Sequence, residues 1–454
     1  MNTTKTQPAE NKMGIMPIPA LLFSMALPMM ASMLVQALYN VVDSIFVAKI
    51  NEDALTAVSL AFPMQNLMIA AASGIGVGMN ALLSKKLGEK NFQSANRAAC
   101  NGILLAFLTY LIFLLIGFFV TPVFFRGQTN LPVIIDYGIS YLTIICTCSF
   151  GLFGQIILER LLQSTGRTFY AMITQGTGAI INIILDPILI FGLFGAPKLG
   201  IAGAAIATVI GQVIAAFLAL YFNIAKNHDI HLSPALFKPE KNTIARILLV
   251  GIPSILMVAI GSVMTFGMNR ILMTFTSTAA AVFGAYFKLQ SFIFMPIFGL
   301  NNGMIPIIAY NYGAQKKDRI VKTIRLSIIT AVSIMLAGLI IFQLFPGSLL
   351  SLFDASENMI SIGVPALKTI SISFVLAGFC IVSSSVFQAF GNGILSMFVS
   401  FARQLIVLLP VAWFFSKTGN LNLVWWAFPI AELMSLLLCS LFLRHTHKEI
   451  ISTL

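Results

Sequence analysis

The chain has 454 residues, of which 58% are hydrophobic and 9% charged, with a mean hydropathy of +0.94. Soluble domains carry about 25% charged residues, so a soluble globular protein is excluded and a polytopic, all-α membrane protein is expected. The net charge of +12 is read through the placement of its lysines and arginines, not as a nucleic-acid footprint.

The first residues, "MNTTKTQPAENK", are polar and of mixed charge. They are expected to form a short disordered tail over 1–14. The apolar run that follows is longer than a signal-peptide core and reads as a retained first span. A span needs about 20 apolar residues, and twelve such segments follow: 15–47, 54–82, 99–124, 132–158, 168–191, 200–224, 247–271, 279–308, 324–349, 359–387, 394–416 and 422–443. Basic loops alternate with loops of low charge. Lys5 and Lys12, Lys85 to Arg97, Arg160 and Arg167, Lys226 to Arg246, Lys316 to Arg325, and Arg444 and Lys448 form the basic set. The positive-inside rule makes that set cytoplasmic, both termini included. Most of the positive charge then faces anionic headgroups. The five cysteines lie in apolar runs without metal or disulfide spacing.

Shifted by 225 residues, the chain aligns with itself. Pro28 meets Pro253, Phe62 meets Phe287, and Gln65 meets Gln290. Gly74, Gly78 and Gly88 meet Gly299, Gly303 and Gly313, while Gln163 and Gly166 meet Gln388 and Gly391. Glycine and proline mark backbone positions that are hard to substitute. The organisation expected is a first lobe over 15–224, a cytoplasmic linker at 225–242, a second lobe over 243–443 and a tail at 444–454. Six spans per lobe is an even number, so the repeat is parallel, about an axis along the membrane normal, and its halves can rock to give alternating access.

Two spans carry polar residues that lipid does not welcome. In "INIILDPILIFG" (181–192), Asn182 and Asp186 lie one turn apart, and Pro187 leaves the carbonyl of Ile183 without its helical donor. In "QALYNVVDSIF" (36–46), Gln36, Tyr39, Asn40 and Asp43 follow i, i+3, i+4, i+7 spacing and form one polar stripe. Span direction puts Asp43 and Asp186 at similar depth, with Thr208 of the sixth span nearby. An Asp near a helix end also snorkels, a Thr also serves helix packing, and Tyr39 and Asn40 also pack between helices. Ionisable groups inside a bilayer are nonetheless functional by default. The 225 offset sets Asp43 against Met268 and Asp186 against Val411, so the architecture alone does not demand these acids. Asp43, Asn182, Asp186 and Thr208 are the expected ion-coupling residues. The first three would hold Na⁺ if that is the coupling ion. Otherwise the carboxylates carry a proton.

Gln36, Tyr39, Asn40, Glu159 and Lys288 are the substrate-binding candidates. Glu159 has two readings, a local ion pair with Arg160 or a part in substrate entry. Glu432 is expected to be structural, paired with Arg403 or Lys368, and Lys288 and Arg270 either pair or line the cleft. Some of the 38 Phe and 21 Met line a cleft that suits varied apolar ligands. Nucleotide loops, metal clusters and catalytic triads are not found, so no enzyme activity, cofactor or nucleic-acid partner is expected, and the chain is taken as a monomer.

"LPMMASMLVQALYNVVDSIFVAKI", "LLQSTGRT", "INIILDPILIFG" and "FQAFGNG" resemble the multidrug and toxic compound extrusion (MATE) family over essentially the whole chain. The resemblance implies a bacterial inner-membrane exporter that antiports drugs against H⁺ or Na⁺, with Asp43, Asn182 and Asp186 matching the cation-site residues of the group whose site lies in the first lobe, and Thr208 matching less closely. Another branch carries acids in the second lobe. Here no Asp or Glu occurs between Glu240 and Asp318 or between Glu357 and Glu432, so a second-lobe cation site is not expected. The substrates expected are amphipathic, cationic organic molecules. The alternatives are a lipid-linked precursor flippase, whose cleft would be more cationic, and an ion channel, which would conduct without counter-substrate.

Overall fold

The computed structural model describes residues 10–233, 236–353 and 355–454. Its backbone is helical, and among the described residues no strand forms. A short helix α1 (Lys12–Ile15) precedes α2 (Ile18–Ala48), α3 (Glu52–Gly88), α4 (Phe92–Arg126), α5 (Pro132–Thr147), α6 (Phe150–Ser164), α7 (Thr168–Phe191) and α8 (Ile201–Ala225). The second half repeats the series as α9 (Lys241–Met273), α10 (Ser277–Gly313), α11 (Lys317–Leu344), α12 (Glu357–Ser371), α13 (Phe374–Ala389), α14 (Gly393–Ser416) and α15 (Leu421–Ile451). Among the described residues ten helices are long and apolar enough to cross a bilayer. The pairs α5–α6 and α12–α13 are bent by 44° and 49° at a short break, so each counts as one broken span and the total is twelve.

The 225-residue offset recurs in the backbone itself. Helices α3 and α10 are each 37 residues long and begin 225 residues apart. Asn51 and Thr276 cap them in extended conformation, each side chain accepting from a first-turn N–H, as N-caps do. Left-handed φ values pair in the same way: Gly166 (83°) with Gly391 (85°), and Lys90 (57°) with Gln315 (56°). The glycine pair spares a Cβ clash that would otherwise cost about 1 kcal/mol.

The halves clasp each other through their second helices. Helix α3 lies along α9, and α10 lies along α2. Glycine makes this approach possible. A Cβ at Gly74 would fall 2.7 Å from the carbonyl oxygen of Gly251, and one at Gly299 would fall 2.5 Å from Cα of Met30. At the other end of α3 and α10 the same pair of helices cross, with Gly88 against the Tyr310 carbonyl and Gly313 against the Lys85 carbonyl. That crossing seals the end at which basic loops meet.

The N-terminal segment adds to the seal. Residues 1–9 of the expected tail lie outside the described residues, but 10–14 do not behave as a disordered tail. Asn11 donates to the Thr165 carbonyl (3.0 Å) and to Asp229 (3.1 Å) in the first half. Met13 is fully buried, and its carbonyl accepts from Asn311 (3.0 Å) and Arg319 (2.9 Å) in the second. The side chain of Met13, about 2 kcal/mol of buried apolar surface, holds the segment in place. At the other terminus, α15 runs to Ile451, which is buried, so the stretch taken as a tail from 444 is largely helix.

Candidate functional site

Helices α2, α3, α5, α6, α7 and α8 of the first half surround a cavity of about 310 Å³. The polar stripe of α2 faces into it: Gln36, Tyr39, Asn40 and Asp43 all line the wall, as their helical spacing predicts. Gln175 of α7 donates to Gln36 (2.9 Å), which fixes α2 against α7 at mid-depth.

Asp43 of α2 and Asp186 of α7 stand on helices that pack along each other. Asp186 is fully buried behind the wall and Asp43 is half-buried at its surface. Asn182 bridges outward from this pair. With its amide nitrogen donating to Asp186 Oδ2 (3.1 Å), its oxygen accepts from the Thr208 hydroxyl (3.1 Å). Tyr39 and Thr208 both line this cavity. Oδ1 of Asp43 is buried and has no hydrogen-bond partner among the described residues. Neighbouring carboxylates that are both ionised repel each other, and burial strengthens that repulsion. Carboxylate, amide and hydroxyl oxygens are also what a small hard cation takes as ligands.

A second polar cluster lies deeper, towards the sealed end. Glu159 accepts from Gln155 (3.0 Å) and Thr174 (3.0 Å), and Arg160 donates to Gln163 (2.9 Å) and to Asn302 of α10 (2.8 Å). Among the described residues Glu159 and Arg160 form no ion pair, against the first of the two sequence readings. Consecutive residues on a helix point about 100° apart, so each finds its own partners. Arg160 thereby ties the first half to the second.

The second half holds a larger cavity of about 510 Å³, walled by Tyr286, Phe287, Phe294, Phe298 and Phe428. Its charged lining is the pair Arg403–Glu432, 2.7 Å apart, so Glu432 takes Arg403 and not Lys368. Lys288 lines neither cavity. It sits 5.9 Å from the centre of the Phe353 ring, because Phe287 and Gln290 occupy the inward face of α10 and one residue along a helix turns the side chain away. Its assignment to substrate binding is therefore withdrawn. Arg270 likewise lies over Phe266, 5.9 Å from the ring centre.

A model of the MatE family matches residues 28–188 and again residues 253–414. The chain is a member of the MatE family. The two matched stretches of this MatE protein start at the proline pair Pro28 and Pro253 of the internal repeat. It is 29% identical over 90% of its length to the multidrug export protein MepA of Staphylococcus haemolyticus, covering 89% of that protein. It is 26% identical over 93% of its length to an FAD transporter of Shewanella oneidensis, covering 94% of that one. A multidrug resistance MATE family transporter of the MOP superfamily, solved in an outward-facing conformation, superposes with a TM-score of 0.90 at 25% identity, covering 100% of this chain and 99% of that one. The protein is thus a multi-pass membrane transporter with the twelve-helix fold, as expected.

Residues that sequence reasoning left out of the MatE protein's cavities did carry a signal. Phe62, Gln65 and Gln163 line the first cavity, and their repeat partners Phe287, Gln290 and Gln388 line the second. They stood in the sequence as markers of the repeat. That polar and aromatic side chains survive at equivalent depth in both halves is itself a sign that they face a cavity.

Proposed function

We propose that the protein is a secondary active multidrug exporter of the bacterial inner membrane, antiporting amphipathic, cationic organic compounds against H⁺ or Na⁺. The observation that carries the reading is the facing pair Asp43 and Asp186, with Asn182 and Thr208 attached, opening on a cavity of drug-accommodating size. Loading the pair with a proton or Na⁺ removes its repulsion and reorganises the hydrogen bonds on α2 and α7. Pro28 lies inside α2 and lacks the bond to its i−4 carbonyl, so α2 can bend there and narrow the cavity. Gln36, Tyr39, Asn40 and Glu159 are the polar substrate contacts in this reading. The sealed end carries the basic loops and is assigned to the cytoplasm with both termini, so the cavities face outward and the two lobes rock about the α3–α10 crossing.

The relatives support export of organic compounds, since proteins named for multidrug export and for FAD transport both align over nearly the whole chain. A flippase for phosphate-bearing lipids is disfavoured, because Lys288 and Arg270 point away from the cavities that such headgroups would enter. The test is ethidium accumulation in everted vesicles, the direction that corresponds to export from the cell, under an imposed pH gradient and an imposed Na⁺ gradient in turn. One gradient is expected to drive accumulation and be dissipated by it. An ion current that flows without organic substrate would overturn the reading in favour of a channel.

A further inference from the structure

A third cavity, of about 170 Å³, lies at the sealed end, outside both central chambers, where α3 and α4 of the first half meet the start of α9 in the second. Lys86, Ser94 and Arg246 offer it donors, and Glu240 is the acid in its lining. Glu240 is already engaged, because its oxygens accept from Thr243 (2.8 Å) and Arg97 (3.5 Å). Lys86 spends one N–H on Glu89 (2.6 Å), and Arg246 has no acidic partner among the described residues. The cavity is therefore rich in donors and positive charge.

The 225 offset shows what kind of group this corner takes. It carries Lys86 onto Asn311 and Ser94 onto Arg319. In the second half those two donors, with Lys316, hold the N-terminal segment. Asn311 donates to the Met13 carbonyl (3.0 Å), Arg319 to the Met13 and Met16 carbonyls (2.9 and 2.8 Å), and Lys316 to the Glu10 carboxylate (2.7 Å). Acceptor oxygens, an anionic group among them, thus occupy the equivalent corner. The linker that precedes α9 takes another route. Its His231 N–H donates to Asn96 (2.9 Å) and its Glu240 N–H to Asn101 (2.9 Å), which draws it across α4, and Lys86 and Ser94 line a cavity instead. The apolar side of the corner matches a lipid. Arg246 heads a face of α9 that continues through Leu249, Ile252 and Leu256, each 44–50% exposed, at spacings that keep them on one side of the helix. A cation at the head of such a face meets the bilayer at the level of its phosphates.

We infer that this cavity is a phosphate site at the junction of the two halves, taken by the headgroup of an anionic phospholipid in the leaflet on the sealed side. Arg246 and Lys86 receive the phosphate oxygens, as guanidinium and ammonium groups do, Ser94 donates to one of them, and an acyl chain follows the Leu249–Leu256 face. The lipid oxyanion stands where the chain's own carbonyls and Glu10 stand in the second half. The site lies apart from both central cavities, so the inference does not rest on the exporter reading.

The experiment titrates the full-length protein in detergent with phosphatidylglycerol, phosphatidylcholine and glycerol phosphate, and counts bound molecules by native mass spectrometry. Wild type is expected to hold one phosphatidylglycerol at least tenfold more tightly than phosphatidylcholine. Glycerol phosphate carries the phosphate without acyl chains. Binding at least tenfold weaker than phosphatidylglycerol assigns the phosphate to a lipid, and equal binding assigns the same oxyanion site to a soluble phosphate ester. Lys86→Gln/Arg246→Gln should abolish the preference for phosphatidylglycerol. Lys322→Gln/Arg325→Gln removes the same charge from exposed positions of α11 and should keep it. If the first pair fails to fold, Thr243→Glu carries the test. It sets a carboxylate in the cavity wall, suits the first turn of a helix, and should abolish the preference while the lipid-free melting temperature holds. Equal affinity for the two lipids in wild type, or the same loss in both double variants, would overturn the site and leave only general attraction between basic loops and anionic lipid.

Discussion

The two halves keep the same skeleton and use it for different chemistry. Both have a 37-residue second helix, a broken fourth span, and a left-handed glycine after it, at Gly166 and Gly391. Both line a cavity with the same Phe, Gln and Gln. Around that shared frame the first half places Asp43, Asp186 and Glu159, where the 225 offset gives Met268, Val411 and Ser384 in the second. Ala412, next to Val411, is no more ionisable. The second half instead carries Arg403 and Glu432, and a larger, more aromatic chamber. The comparison teaches that fold and ion chemistry are separable in this molecule. What is held in common is backbone geometry, and what differs is which half carries the membrane-embedded carboxylate pair.

Predictions that break the common skeleton should be the most severe. Gly88→Val or Gly313→Val would drive a side chain into a facing carbonyl at the sealed end. Efflux is expected to fall below about a tenth of wild type, with a core-overpacking penalty of about 1–3 kcal/mol or more, and thiol labelling of introduced cysteines should show the sealed end open. Gly176, where a Cβ would meet nothing within 4 Å, should tolerate Ala with no loss. The halves should differ next at Arg160. Its replacement by Ala leaves Gln163 and Asn302 without their donor and should cost about 2–4 kcal/mol, read as a drop in melting temperature. Ser385→Ala at the repeat partner should stay within about 1 kcal/mol, since that hydroxyl only returns a bond to the Ile381 carbonyl (3.1 Å).

The smallest effect is expected at the N-terminal seal. Lys316 lies 2.7 Å from Glu10 and holds its carboxyl below the usual glutamate range, by hydrogen bond and charge. A lowered carboxyl pKa gives stabilisation that is present above the ordinary value of about 4.3 and fades only as pH falls through the depressed one. The contact should therefore be constant across neutral pH. Both partners are substantially exposed, so the pair contributes at most about 1 kcal/mol. Lys316→Glu should raise proteolytic access to the N-terminus several-fold, and Glu10→Lys in the same chain should reverse it. A single variant that cleaves no faster than wild type would show that the Lys316–Glu10 contact does not hold the segment.

Much of this was legible in the sequence because a bilayer narrows the options. Twelve apolar runs can only be spans, and Asp43 and Asp186 stood out because carboxylates are scarce in such runs. The grouping of Gln36, Tyr39, Asn40 and Asp43 followed from helical period alone. Other features depend on rotation or distant contact, which period does not supply. Lys288 was misplaced because one helical step separates the cavity face of α10 from the outside. The bond from Arg160 to Asn302 joins residues 142 positions apart. The left-handed turns at Lys90 and Gln315 carry no glycine to announce them. The N-terminal helix α1 is too short to show a pattern, and it is held by the burial of Met13 and by hydrogen bonds to distant parts of the chain.

The central claim is that ion coupling belongs to the first half alone. Its most direct measurement is counter-ion movement during substrate efflux in proteoliposomes, followed with a pH- or Na⁺-sensitive dye inside the vesicles. Asp43→Asn and Asp186→Asn keep shape and remove the charge that must be neutralised. Each is expected to cut substrate-linked ion flux at least a hundredfold while membrane insertion and melting temperature stay near wild type, and Met268→Leu in the second half should leave the flux unchanged. Wild-type ion flux in the Asp43→Asn/Asp186→Asn double variant would contradict the account.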